Sequence, residues 1–166
     1  MALSKQERSD PRKSLVGFVV GDIAYAVPIA AVREIVNPVQ LAELPHAPPA
    51  IAGVADHRGE IVPIIDLRVR FGLAPFSDPR KSKWILIEVE GRAVGLAVDR
   101  VTEVFGKTGA EIKPPPQLGG GDDLRGISGV TTHDGMLTFV LEVSQFEVLT
   151  RQLAESNVRA SMGSMR

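Results

Sequence analysis

Asp66 in IIDL and Asp99 in LAVD are the residues best placed in the sequence to do chemistry. Together they would make a dyad in which two close carboxylates share a proton. Such dyads sit in Asp-Thr-Gly or Asp-Ser-Gly loops, and the sequence has neither. An aspartate just after an apolar strand more often caps a helix or turn. The three histidines, His46, His57 and His133, stand in none of the HxH, HExxH or HxxxH spacings of metal sites. Cysteine is absent, which removes thiolate nucleophiles, disulfides and Cys-ligated zinc. There is no G-x-S-x-G elbow. Gly119-Gly120-Gly121 lacks the Lys-Ser/Thr of a phosphate loop and reads as a linker. Trp84 and Tyr25 are single aromatics in strands. No nucleophile, base and oxyanion site assemble, so neither catalysis nor a cofactor is expected. ADHRGEIVPIIDLR (55–68) still presents two charges in different settings, Arg58 in a turn and Asp66 at the end of an apolar run.

The elements that must hold these residues read as mostly β. LVGFVV and IAYAV flank Gly21-Asp22, a two-residue hairpin turn. PIAAVREIVNP reads as a helix, because Pro28 suits a first turn and Ile29, Val32, Ile35 and Val36 share a helical face. A second hairpin centres on His57-Arg58-Gly59-Glu60, and DLRVRFG follows as a short helix or turn. WILIEVE and RAVGLAVD turn at Glu90-Gly91, with VTEVFG continuing that hairpin. GISGVTT and MLTFVLEV turn at His133-Asp134-Gly135. Ser144-Gln145-Phe146-Glu147 has capping-box spacing and opens a C-terminal helix to about Leu153.

A chain of 166 residues, 44% of them apolar, can build one real core. The net charge of −1 divides into +2 over residues 1–13, +2 over 151–166 and −5 between. An acidic middle argues against nucleic acid, which favours a basic face. No apolar run approaches the roughly 20 residues that span a bilayer, and the N-terminus lacks a signal-peptide core. The expectation is a cytoplasmic protein with no direct membrane insertion. Residues 1–13 read as a disordered tail, 14–150 as one domain, and 151–166 as a helix end and tail.

The domain contains an internal repeat. GVADHRGEIVPIIDL (53–67) aligns without a gap on GVTTHDGMLTFVLEV (129–143), and Val32-Arg33-Glu34-Ile35 resembles Val101-Thr102-Glu103-Val104. Two similar β units, roughly 14–75 and 83–150, follow from this. Each is small enough to need a core shared with the other. In the alignment Arg58 meets Asp134, so the turn itself does not demand an arginine.

The chain resembles the CheW family, the adaptors of bacterial chemosensory arrays. The resemblance rests on F-x-V-G-x-x-x-Y-x-V-P-I (18–29), V-R-E-I (32–35), L-P-x-A-P-x-x-I-x-G-V (44–54) and R-G-E-I-V-P-I-I-D-L-R (58–68). It continues through F-G-L (71–73), V-G-L-A-V-D-R-V-T-E-V (94–104) and I-K-P-P-P (112–116). The family usually has Asn-Leu before Arg-Gly, where this chain has Asp56-His57. The resemblance implies two SH3-like five-stranded β-barrels side by side, with strands exchangeable between them. It also implies a non-catalytic adaptor that joins chemoreceptor cytoplasmic tips to the histidine kinase CheA, through CheA's CheW-like regulatory domain, at membrane-associated arrays. By similarity Val32, Glu34, Arg58, Trp84, Gly95 and Val101 fall where the family contacts receptors, and Gly53 is the choice for the kinase. A core role for Val32 and Val101, a solvated charge at Glu34 and a plain turn residue at Arg58 are the competing readings. The rival functions are a CheW-like scaffold with twitching, gliding or second-messenger output, and a small β-barrel ligand-binding protein using Asp66 and Asp99.

Overall fold

A computed structural model of the chain describes residues 13–106, 111–115 and 126–151. Of the tails expected at 1–13 and 151–166, only Lys13 and Arg151 are described, and the glycine linker at 119–121 lies outside the described residues. Ten strands form: β1 (Leu15–Val20), β2 (Ile23–Pro28), β3 (Val32–Val36), β4 (Ile51–His57), β5 (Glu60–Asp66), β6 (Lys83–Val89), β7 (Arg92–Val98), β8 (Arg100–Phe105), β9 (Ile127–His133) and β10 (Met136–Leu141). Helix α1 (Leu67–Arg70) follows β5, and α2 covers 146–151. The four expected hairpins form. Three of them turn through a left-handed pair, Arg58-Gly59, Glu90-Gly91 and Asp134-Gly135, the φ > 0 geometry whose twist suits antiparallel strands.

The strands make two five-stranded sheets, ordered β8-β1-β2-β10-β9 and β3-β6-β7-β5-β4. Position by position the two orders are equivalent. Each has a central hairpin, β1-β2 or β6-β7, with a parallel neighbour from a second hairpin on one side. Ala24 faces Thr138 in one sheet and Gly95 faces Ile64 in the other. The five strands of each sheet come from both halves of the chain. β3, β4 and β5 of the first half join β6 and β7 of the second, while β8, β9 and β10 join β1 and β2.

The core explains why the central strands are apolar throughout. The largest buried cluster lies between the sheets and takes Val16, Phe18 and Tyr25 from one and Ile65, Ile87 and Leu96 from the other. Leu67 of α1 and Phe146 of α2 are fully buried in the same cluster. Alternate residues of β6 and β7 face the other way, into a second cluster with Trp84, Leu86, Ala93 and Ala97. A strand covered on both faces has no polar side to show, so its sequence loses the period-two signal.

Three expectations fail. Residues 28–38 are not an α-helix: a 3-10 turn at Ile29–Ala31 leads into β3. Val32, Glu34 and Val36 are half-buried while Arg33 and Ile35 are exposed, which is strand alternation. β-branched residues favour that outcome, and pairing with β6 decides it. β8 does not extend the β6-β7 hairpin but crosses to the other sheet to pair with β1. The Ser144 capping box does not form, because Ser144 Oγ donates to Glu142 Oε1 at 3.1 Å and the helix opens through a 3-10 turn at Val143–Gln145.

Candidate functional site

β3 and β4 are the two edges of their sheet, yet their side chains meet. Glu34 of β3 lies 3.0 Å from His57 Nε2 at the end of β4, and its other oxygen accepts from Arg58 Nη2 at 3.0 Å. Arg33 beside them reaches Glu60 at 3.4 Å and Glu88 at 3.5 Å. This chain of charges bridges the seam between the two edge strands. The Arg58 side chain is 75% exposed, so one face of its guanidinium is held while the rest is presented. The turn below is fixed, since Gly59 N–H donates to Asp56 Oδ1 at 2.8 Å.

The second barrel closes the same way. His133 of β9 lies 2.5 Å from Glu103 of β8 and stacks on Phe105, with ring centroids 3.9 Å apart. His133 aligns on His57 and Glu103 on Glu34, so the repeat carries a histidine–glutamate latch in each unit. Sequence reasoning read these histidines only as turn-flanking residues. The alignment of both members in both halves was the signal that could have found the latch. In the second unit Asp134 replaces Arg58, and among the described residues no arginine pairs with Glu103.

Val32 and Val101 also occupy equivalent places, at the starts of β3 and β8. Both are half-buried and pack on the cluster between the sheets. Val32 lies two residues from Glu34 on β3, while Val101 lies on β8 in the other sheet. Trp84, placed by similarity among the receptor contacts, is 3% exposed and packs in the second cluster. Gly95, expected to admit a partner, admits Ile64 instead: a Cβ there would strike Ile64 Cδ1. Both are buried, on β6 and β7. Gly53 is buried under a strap, where Ala42 exchanges two backbone hydrogen bonds with Val54. Its φ is +156°, and a Cβ would come 2.6 Å from the Ala42 carbonyl oxygen.

The two aspartates take separate duties. Asp66 Oδ1 accepts from Arg68 N–H at 2.8 Å and Val69 N–H at 3.3 Å, capping α1. Burial pushes its carboxyl above the usual carboxylate value, against the pull of those two bonds. Asp99 accepts from Arg68 Nη1 and from Gly21 N–H, both at 2.7 Å. With each oxygen of Asp99 bonded, no proton-sharing pair forms.

Two interlocked five-stranded units, with histidine–glutamate pairs joining their edge strands and no catalytic pair at Asp66 and Asp99, have the architecture of a small scaffold. Residues 14–148 match the CheW-like domain model. A chemotaxis protein CheW of Helicobacter pylori is 32% identical over 69% of each chain. Protein FrzA of Myxococcus xanthus is 36% identical over 81% of this chain and 82% of its own. The crystal structure of the scaffolding protein TtCheW from Thermoanaerobacter tengcongensis superposes with a TM-score of 0.70 at 31% identity, over 79% of this chain and 89% of that one. The chain belongs to the CheW family of chemotaxis coupling proteins.

Proposed function

We propose that the protein is a non-catalytic adaptor that couples chemoreceptor cytoplasmic tips to the histidine kinase CheA, recruited from the cytoplasm to membrane-associated arrays. No helix among the described residues is long and apolar enough to cross a membrane, so the membrane link runs through the receptor. Receptor tips are helical hairpins. An amphipathic helix docks by laying apolar residues on a floor and fixing its register with a few charges. Val32 and Val101 supply the floor, and Arg58, oriented by Glu34, supplies the charge. Trp84 and Gly95 serve from beneath, by holding β6 and β7 in place. The kinase contact assigned to Gly53 passes to the strap it admits, whose Ala42 and Glu43 are exposed. The observation that carries the reading is the pairing of Arg58 with Glu34, which presents a guanidinium already ordered for a carboxylate or a helix-end carbonyl.

The test is co-sedimentation with receptor-bearing membranes and CheA, with kinase activity read with and without this protein. Receptor-dependent kinase control that appears only with the protein supports coupling. Kinase control that is unchanged by its presence rejects it. The 36% identity to FrzA, a relative not named for chemotaxis, favours a second reading in which the same docking serves twitching, gliding or second-messenger output. Deletion of the gene, scored for swimming against these other outputs, separates the two.

A further inference from the structure

The β3-β4-β5-β6-β7 barrel has an open end, and a cleft of about 620 Å³ occupies it. Two loops form its rim, residues 38–49 before β4 and 75–82 before β6. None of Val32, Glu34, Arg58 or Val101 lines it, so it is separate from the docking face. Small-molecule sites span about 300–1,000 Å³ and pair apolar walls with a few placed polar groups. Ile51, Ile64, Val69, Phe76 and Trp84 make such walls.

The placed polar group is Asp66. It is 6% exposed and lines the cleft. Both capping bonds go to Oδ1, and among the described residues no donor bonds Oδ2. That oxygen is not among the fully buried atoms left without a partner, so it is open to the cleft and free to accept from a ligand. Burial of the rest of the residue raises the Asp66 carboxyl. The other charged groups in the lining are Glu43, Asp78 and Arg80, giving the cleft a formal −2 with Asp66. Arg80 is itself engaged, its Nε donating to Asp78 Oδ1 at 3.2 Å. The site therefore offers an apolar chamber, an acidic mouth and one carboxylate oxygen that takes no bond from the described residues.

We propose that this cleft binds a small amine, an aromatic or aliphatic body of a few carbons bearing one ammonium group that donates to Asp66 Oδ2. The scaffold would then carry a ligand site besides its docking face. Trp84 is the only tryptophan in the chain and lines the cleft, so its fluorescence reports on occupancy directly.

Titration of the full chain with phenethylamine, followed by Trp84 emission, tests this. The comparison ligand is 2-phenylethanol, which keeps the shape and loses the charge. Saturable binding of the amine, about tenfold tighter than the alcohol, is expected for a charge-assisted bond to a buried acid. Asp66→Asn keeps an oxygen for the α1 cap and should bind the amine about tenfold more weakly. Ala52→Leu narrows the cleft without touching Asp66 and should weaken amine and alcohol together. The proposal is overturned by the absence of a saturable signal, by equal affinity for amine and alcohol, or by undiminished binding in Ala52→Leu. Wild-type affinity in a folded Asp66→Asn also overturns it. Should Asp66→Asn not fold, the alcohol comparison and Ala52→Leu still decide.

Discussion

The β4-β5 and β9-β10 hairpins are the same object built twice, and they differ at the tip. Both turn through a left-handed pair and both end in a histidine that latches the opposite edge strand. Both also pass beneath a strap bridged to the middle of the first strand, Ala42 to Val54 in one and Lys113 to Val130 in the other. What the two share is what the fold needs. Arg58 against Asp134 is a reversal of charge on a common frame, with side chains 75% and 78% exposed. An exposed difference on a shared scaffold costs the fold little, so it is free to set which partner docks. The repeat thus separates the residues that both units share from those in which they differ.

The hardest test of the equivalence is at the strap glycines. Gly53→Ala places a Cβ against the Ala42 backbone at a positive φ, and should lower unfolding free energy by about 2–3 kcal/mol. Gly129→Ala meets the Ile112 side chain first, which can move, so its loss should be nearer about 1–2 kcal/mol. Denaturant melts of both variants check the order, and a larger loss at 129 would show that the straps are not equivalent. The tips are compared next. Arg58→Ala should weaken binding of a receptor-tip fragment by about 1–3 kcal/mol, while Asp134→Ala leaves it unchanged and both fold normally. Equal effects in calorimetric titration would remove Arg58 from the docking face.

Asp66 has no counterpart cap in the second unit, where Glu142 makes no capping bond. Asp66→Ala should therefore cost about 1 kcal/mol, visible as a lower melting temperature. The pH dependence has a fixed sign. Burial holds the folded-state pKa above 3.8, so the folded chain binds this proton more tightly than the unfolded chain. Stability falls as pH rises from 3.8 through the folded value, and the penalty is complete above it. Asp66→Asn should lack that decline, so subtracting its pH–stability curve from the wild-type curve isolates it. The smallest effect expected is at the latches. His57→Ala and His133→Ala should each lose about 0.5 kcal/mol or less, because both pairs are partly exposed and screened.

Much of this was legible in the sequence, and the exceptions share a cause. Gly21-Asp22, Arg58-Gly59 and Asp134-Gly135 announced their hairpins because turn chemistry is local. Asp66 announced its cap for the same reason. At residues 28–38, Val32, Ile35 and Val36 satisfy a helical face, while Glu34 on the inward side of β3 hides the alternation. Only pairing with β6, some fifty residues away, resolves it. The crossing of β8 has no local signal at all, since the sheet a strand joins is decided by distant partners. The burial of Trp84 and Gly95 was not legible either, because family position does not say which face of a doubly covered strand a residue takes. The cleft beside Asp66 was invisible for a related reason. Its walls come from separate loops, and the free oxygen is a property of geometry.

The exchange of strands between the halves sets the order of events in folding. β1 and β2 are made early, yet their sheet waits for β8, β9 and β10, with Ala24 pairing to Thr138 near the far end of the described chain. Long-range pairings of this kind slow folding, because the intervening loop must close before any contact rewards it. Until β8 is made the early hairpin has both edges unpaired, and the β2 edge stays open until β10 follows, the condition in which strands find wrong partners. A nascent chain of this protein therefore carries an open β2 edge until synthesis of β10 is finished, and that interval is when a chaperone would matter most.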